Sequence, residues 1–434
     1  MSKEAAQRIL RETLAAIDVD TAVQRALARS GSCVYPGGVE IDLNSYREIV
    51  AIAFGKASMA MAEGLGAVLA ADYPLNGILV CSDEHPQPLQ GWKAFAGGHP
   101  TPNEGSFAAG RAILDRLAHC DKHSLIFFLI SGGGSSLVEK PLDPRWTLSD
   151  FRALHSALVT CGASIEEINV IRKHLSATKG GRLATGAPEA MKVTLAVSDV
   201  PPGEESALAS GPTLPDPSTI EDARRIAREY GLMGKFPALL RAAFEGDSLP
   251  ETPKAAHPAF ARAHFVKILG EHELLHAAHH ACESEGYLCV CDNTTNNWPI
   301  EKAVDHLLAL LESQKRENPG KRVAVLAGGE LSSPVTGNGV GGRNSAFVLA
   351  CVPKIAGKPI SVMSAGTDGL DGNSPAAGAT ADGETLSRAV AANMAPEEFF
   401  ARSDAYNFFA QLGNTILTGP TGNNLRDLRI LLAE

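Results

Sequence analysis

The chain has 434 residues, of which 44% are hydrophobic, 20% charged and 6% aromatic. That length exceeds a single core and suits two or three domains, and the composition excludes a disordered chain. A formal net charge of -10 argues against a nucleic-acid or acidic-membrane partner, which would need a dense basic face. An anionic small molecule held by a few local cations remains open.

The first segment, MSKEAAQRILRETLAAI, reads as an amphipathic helix with charges throughout, not a signal peptide. The longest apolar run, LIFFLI at 125–130, is far short of a bilayer span of about twenty residues. A cytoplasmic protein is expected. From residue 49 onward, short apolar runs alternate with helical stretches. The runs are IVAIAFG, GILVCS, SLIFFLISGGG and KVTLAVSDV; KASMAMAEGLGAVLAA and EGSFAAGRAILDRLAH lie among them. Such alternation predicts an α/β fold with mostly parallel sheets flanked by helices. The pattern pauses between about 212 and 260, where Pro-rich GPTLPDPSTIEDARRIAREYGL and GDSLPETPKAAHPAFA suggest a boundary. Two domains follow, 1–245 and 246–434. Runs then resume with HFVKILG, YLCVCD, RVAVLAGGE and PISVMSAGTDG, and the chain closes through TILTGPTGNNLRDLRILLAE. The eight cysteines are scattered with no C-x-x-C pair and are expected to be reduced core residues. No metal ligands are assigned.

In parallel sheets the strand C-termini collect the functional loops. Here five of them carry small or polar residues: Gly55-Lys56, Ser131 to Ser136, Ser198-Asp199, Gly328 to Glu330 and Gly366 to Asp368. The loop ISGGGSS follows the most apolar strand. Gly132, Gly133 and Gly134 let backbone N–H groups converge, and Ser131, Ser135 and Ser136 add hydroxyls, so the loop suits phosphate or carboxylate oxygens. Lys56 is placed in the first turn of a helix, where an anion would offset its charge. Asp199, followed by Pro201 and Pro202, suits a base, a metal ligand or a turn residue.

Three motifs point elsewhere. Gly337, Gly339 and Gly342 form a G-x-G-x-x-G, but the preceding strand ends about ten residues earlier and no acidic residue ends a second strand at the required spacing, so the dinucleotide context fails. HELLH at 272–276 matches a zinc-peptidase helix yet starts directly after a strand and lacks the further ligands; a polar helix start is the expectation, with a zinc hydrolase the minor alternative. SATK at 176–179 matches a serine-acylase pattern without its companion motifs.

Taken in order, AFGKAS, GHPTPNEGS, ISGGGSSL, INVIRKHLSATKGGRLA, VSDVPPG, ASGPT, GGELSSPVTGNGVGGRNSAFVLA, SAGTDGLDG and TGPTGNNLRDL resemble the class II glycerate 2-kinases, which carry a C-terminal MOFRL domain. The resemblance spans nearly the whole chain. It implies two α/β domains with the active site in the cleft between them, and phosphorylation of D-glycerate at the 2-hydroxyl with ATP and Mg2+. Lys56 and Arg343 would flank the transferred phosphoryl group, and Asp199 would lie near the substrate hydroxyl or the metal. Ser131 to Ser136, Lys179, Glu330, Asn344 and Asp368 would bind substrate or phosphate. A homodimer is compatible with this reading. Members often carry the name hydroxypyruvate reductase, so an NAD(P)H-dependent reductase is the alternative. The chain departs from the family near its end, where Thr421, Gly422, Asn423, Asn424, Leu425, Arg426 and Asp427 stand in place of a pattern closer to T-G-T-N-V-N-D.

Overall fold

The computed structural model describes residues 2–82, 89–200, 203–246 and 249–434. Pro201 and Pro202, expected to stiffen the loop after Asp199, lie outside them. The chain forms two compact units, each an α/β structure.

The first unit, Val19–Ile268, opens with a small hairpin of β1 (Cys33–Val34) and β2 (Ile41–Asp42). Its main sheet contains β3 (Glu48–Phe54), β4 (Leu75–Cys81), β5 (Trp92–Ala96), β6 (Ser124–Ser131), β7 (Met191–Val197) and β8 (Ala263–Leu269), in the order β5-β4-β3-β6-β7-β8. The pairs among β3 to β7 are parallel. β6 is buried along its whole length, which explains why SLIFFLIS does not alternate: helices cover both faces. Because β3, β6 and β7 are parallel neighbours, the loops after Phe54, Ser131 and Val197 emerge on one sheet edge.

The pause at 212–260 is not a linker. Ile226, Leu240 and Phe244 from that stretch share a core with Phe151, Leu154 and Ile171. Lys173 reaches Asp216 at 3.2 Å, and His174 Nε2 meets Glu251 at 3.0 Å. The compact units therefore divide later than the expected 245/246 boundary, because these segments and β8 complete the first unit.

The second unit comprises Leu269–Glu434 with the N-terminal segment up to Asp18. The helix Ser2–Ala16 buries Ala5, Ala6, Ile9 and Leu10 and packs on the helix Glu271–Ser284 and on three strands of this unit's sheet. Arg8 pairs with Glu285 at 2.6 Å. This is why the N-terminus belongs with the C-terminal half. The sheet is built from β9 (Leu288–Asp292), β10 (Val323–Ala327), β11 (Ile360–Gly366), β12 (Gly378–Asp382), β13 (Thr415–Ile416) and β14 (Asp427–Ala433), ordered β13-β12-β11-β14-β10-β9. Strands β9, β10, β11 and β13 run in one direction, with β12 and β14 opposed. The insertion of β14 between β10 and β11 positions a site. It brings Asp427, its first residue, beside Gly366 at the end of β11, and Arg429 beside Ala327 at the end of β10.

Candidate functional site

In the first unit, the ends of β3 and β6 are laced together. Lys56 N–H donates to Gly132 O at 2.9 Å, and Ala57 N–H donates to Ser131 Oγ at 2.9 Å. Gly55 has φ +125, and a Cβ there would strike the Ser131 carbonyl oxygen at 2.6 Å, so only glycine permits this approach. Lys56 thus lies ahead of the helix Ser58–Leu69, not in its first turn as expected: the Gly55 turn commits its amide to Gly132. Its side chain is exposed.

The Gly-Ser loop gathers further residues. The Cα of Gly133, at φ +82, is flanked by His99 and by the Lys56 stem. His99 Nδ1 lies 3.1 Å from Ser136 Oγ. Ser135 Oγ meets Ser210 Oγ at 2.7 Å, and Ser210 Oγ donates to Asn169 Oδ1 at 3.0 Å. Ala209 and Ser210 both adopt left-handed φ, +49 and +61, a conformation costing roughly 1–2 kcal/mol per residue. Such strain concentrates at functional loops.

A line of bases extends from this loop. Although His99 is an exposed residue, partial desolvation of its ring, followed by the charge of Lys56, lowers its pKa. Burial lowers His155 as well, helped by Arg172 and His99, and Arg172 Nη2 stands 3.0 Å from His155 Nδ1. Lys56 and Arg172 therefore bring positive charge to a run whose imidazoles, His99 and His155, are held toward the neutral form, an arrangement suited to an anion. The strings GHPTPNEGS and INVIRKHL held these residues, but nothing in their spacing showed that His99, His155 and Arg172 meet. Asp199 lies just past β7 and is half-buried.

Lys179, expected to bind substrate or phosphate, is instead spent inside the fold. It is 1% exposed and pairs with Glu139 at 2.6 Å, which also accepts from Ser176 Oγ. Desolvation lowers the Lys179 pKa against the pull of Glu139. The same pairing occupies both members of the SATK match, so no nucleophile is presented.

In the second unit, Arg343 opens the helix Arg343–Ile355. Its Nε donates to Asp427 Oδ2 at 2.5 Å and its Nη2 to Asp427 Oδ1 at 3.2 Å, while Nη2 also meets Glu330 Oε1 at 2.8 Å. Burial opposes the charge of Arg343, but these carboxylates outweigh it and raise its pKa. Asn344 Nδ2 donates to Asp427 Oδ1 at 3.0 Å and its Oδ1 accepts from Ser364 Oγ at 2.5 Å. Asp368, half-buried after β11, accepts from Leu370 N–H at 3.0 Å. Arg426, which marks the departure near the C-terminus, donates to Asn296 Oδ1 at 2.7 Å. Arg343, Glu330 and Asn344 thus lie together, joined by Asp427, and Asp427 and Asp371 are neighbours that the sequence reading did not single out.

Asp371 settles the fingerprint glycines. Its carboxylate accepts from the backbone N–H groups of Gly342, Asn344 and Ser345 at 3.2, 2.9 and 2.8 Å, and from Ser345 Oγ at 2.6 Å. The N-terminal amides of this helix, where a dinucleotide pyrophosphate would sit, are already occupied. Burial and the neighbouring Asp427 push the Asp371 carboxyl up, against those donors. A Cβ at Gly342 would collide with Asp371; one at Gly337 would meet the Arg402 carbonyl at 2.5 Å, and one at Gly339 the Asp404 Cα at 2.6 Å. The glycines serve close packing of this loop.

HELLH does open the helix Glu271–Ser284. The rings of His272 and His276 stack at 6.3 Å with an interplanar angle of 6°, and Glu273 is engaged by His272 at 3.3 Å. Among the described residues these side chains do not form a metal-holding cluster. No helix among them is long and apolar enough to cross a membrane.

Comparison with known proteins finds relatives along nearly the whole chain. Residues 5–245 match the family described as a domain of unknown function, DUF4147, and residues 323–427 match the MOFRL family. The D-glycerate 2-kinase of Thermotoga maritima is 34% identical over 99% of this chain and 97% of its own. A protein of Agrobacterium vitis bearing a hydroxypyruvate reductase name is 35% identical over 88% of this chain and 86% of its own. The crystal structure of a Thermotoga maritima glycerate kinase superposes with a TM-score of 0.87 at 32% identity, covering 100% of this chain and 99% of that one. With the MOFRL and DUF4147 matches and full-length relatives of this kind, the chain belongs to the class II glycerate 2-kinase family.

Proposed function

We propose that this protein transfers the terminal phosphoryl group of ATP to the 2-hydroxyl of D-glycerate. The run beside the Gly-Ser loop, with Lys56 and Arg172 as its cations and His99 and His155 as imidazoles between them in the same cluster, is the observation that carries the reading, since glycerate and the phosphates are all anions. Phosphoryl transfer needs little covalent chemistry from the protein; it needs cations on the equatorial oxygens and a fixed acceptor. Lys56 would supply one cation. Arg343 would supply another, and with its Nε and Nη2 held by carboxylates, Nη1 is the donor it would present. Ser131 to Ser136 would hold oxygens of substrate or phosphate, with Glu330 fixing the arginine directly and Asn344 acting on it through Asp427. Asp199 would orient the hydroxyl or meet the metal. Lys179 would act only by supporting the loop from within.

Mg2+ takes oxygen donors, and the carboxylates at strand ends, Asp199 and Asp368, are of the required kind; when bound with the nucleotide it would neutralise charge on the phosphates. The activity is assigned to the cytosol, where the free thiols stay reduced, and to a chain that acts alone or as a homodimer.

An ADP-release assay with D-glycerate, followed by phosphorus NMR of the product, tests both the reaction and the position of transfer. No ADP release with glycerate refutes the proposal. NADH oxidation with hydroxypyruvate would support the reductase reading, which the occupied helix terminus at Asp371 disfavours.

A further inference from the structure

The cysteines are not uniformly core residues: Cys81, Cys282 and Cys351 are buried, but Cys291 is exposed and Cys289 only half-buried. Both of the latter belong to β9, the edge strand of its sheet. Two positions apart on a strand, their side chains leave the same face. The helix Glu271–Ser284 packs against β9 and contributes His279. Cys291 Sγ stands 3.6 Å from His279 Nδ1, and the ligand atoms of His279, Cys289 and Cys291 all lie within 4.8 Å of one another. A tetrahedral zinc ion sets sulfur-sulfur distances of about 3.8 Å and sulfur-nitrogen distances of about 3.5 Å. Small side-chain adjustments would meet that geometry.

The other ring nitrogen of His279 supplies a second observation. Nε2 lies 3.4 Å from Glu283 Oε1, one helical turn onward. A carboxylate on the outer nitrogen fixes the tautomer that leaves Nδ1 unprotonated, the arrangement that orients a metal-binding imidazole. Cys282 stands near Cys289 but lies outside the mutually close group.

We propose that His279, Cys289 and Cys291 bind a thiophilic divalent cation of the zinc class, with Glu283 orienting His279 and solvent in the fourth position at the exposed Cys291. Two thiolates and one neutral imidazole suit a soft or borderline metal. Binding releases the two thiol protons to solvent and leaves the metal's oxidation state unchanged. The ion clamps the edge strand β9 to its covering helix. None of these residues takes part in the phosphoryl-transfer reading, so the two stand or fall separately.

The test uses the full chain, reduced, stripped with a chelator and re-equilibrated with zinc or cobalt chloride. Retention of about one zinc per chain after gel filtration is expected, with a sulfur-to-cobalt charge-transfer band in the cobalt form. Cys289→Ser with Cys291→Ser should abolish both, and Glu283→Gln should weaken zinc affinity about tenfold. Cys291→Ser alone, at an exposed position, keeps the test valid if the double variant folds poorly: it should remove most of the charge-transfer intensity while the metal-free melting temperature matches that of the metal-free wild type. His272→Ala with His276→Ala should bind zinc as the wild type does. Failure of the reduced wild type to retain metal, equal retention by Cys291→Ser, or loss of metal in the His272/His276 variant would overturn the site.

Discussion

Arg343 grips both carboxylate oxygens of Asp427, at 2.5 and 3.2 Å, locking the first residue of a helix to the first residue of the last strand. Asp427 is 2% exposed and also accepts from Asn344. The fork fixes the guanidinium plane, so Asp427 acts as a positioning residue for Arg343. Asp427→Asn offers one acceptor where three donor contacts converge, and should cost about 1–3 kcal/mol of stability. If Arg343 is positioned this way for phosphoryl transfer, kcat should fall by more than tenfold while KM for glycerate changes little. A variant with lowered melting temperature but unchanged kcat would leave Asp427 a purely structural partner.

Asp371 satisfies three helix-terminal amides and a hydroxyl with one carboxylate. Asp371→Ala strands these donors in a buried place, and a loss of about 2–4 kcal/mol is expected from urea unfolding. Gly342→Ala should be destabilising for the same reason, since its methyl group would occupy the space of the Asp371 carboxylate. A loss below about 1 kcal/mol for Asp371→Ala, within the range of a single ordinary hydrogen bond, would show that the helix end finds other partners.

The histidines His99 and His155 yield a pH prediction with a definite sign. Both pKa values are lowered from 6.5 in the folded protein. The unfolded chain therefore binds more protons as pH falls through and below about 6.5, and the stability present above that value is lost on acidification. Comparing wild type with His99→Gln/His155→Gln removes the contribution of other groups. Between pH 7.5 and 5.5 the wild-type melting temperature should fall more steeply than that of the variant. Inorganic phosphate, which favours the protonated rings, should protect the wild type increasingly as pH drops. Parallel curves for the two proteins, with or without phosphate, would remove these imidazoles from the anion site.

Much of this organisation was legible in the chain itself. The apolar runs located the principal strands of both sheets, and their small or polar ends marked the loops after β3, β6, β7, β10 and β11. What stayed hidden was lateral order. Nothing in DLRILLA says that it enters antiparallel between β10 and β11, so Asp427 could not be placed beside Arg343. His99, His155 and Arg172 meet through three separate segments, and Asp371 reaches a helix terminus 27 positions back. Lys179 misled because a lysine near glycines reads as a surface cation, whereas its partner, Glu139, lies 40 residues away. Cys289 and Cys291 passed as core residues because edge-strand position, not apolar content, decides their exposure.

The last prediction concerns Lys56 and Arg343 together. They belong to different compact units, and the proposed reaction asks both to stabilise charge on one phosphoryl group. Losing either cation should then remove transition-state stabilisation of about 3–5 kcal/mol, roughly two to four decades in turnover. The loss should fall on kcat more than on KM, because the charge they meet develops in the transition state. Arg343→Lys should rescue poorly: a point charge cannot keep the fork on Asp427 and still present a further donor. Residues that act as a unit are non-additive, so Lys56→Ala/Arg343→Ala should be little worse than either single variant. Two independent sites would instead multiply their effects, giving roughly four to eight decades in the same framework. Single and double variants assayed at saturating MgATP separate these outcomes. Near-normal turnover in Arg343→Ala, or full multiplicativity in the double variant, would break the assignment of both cations to one phosphoryl transfer.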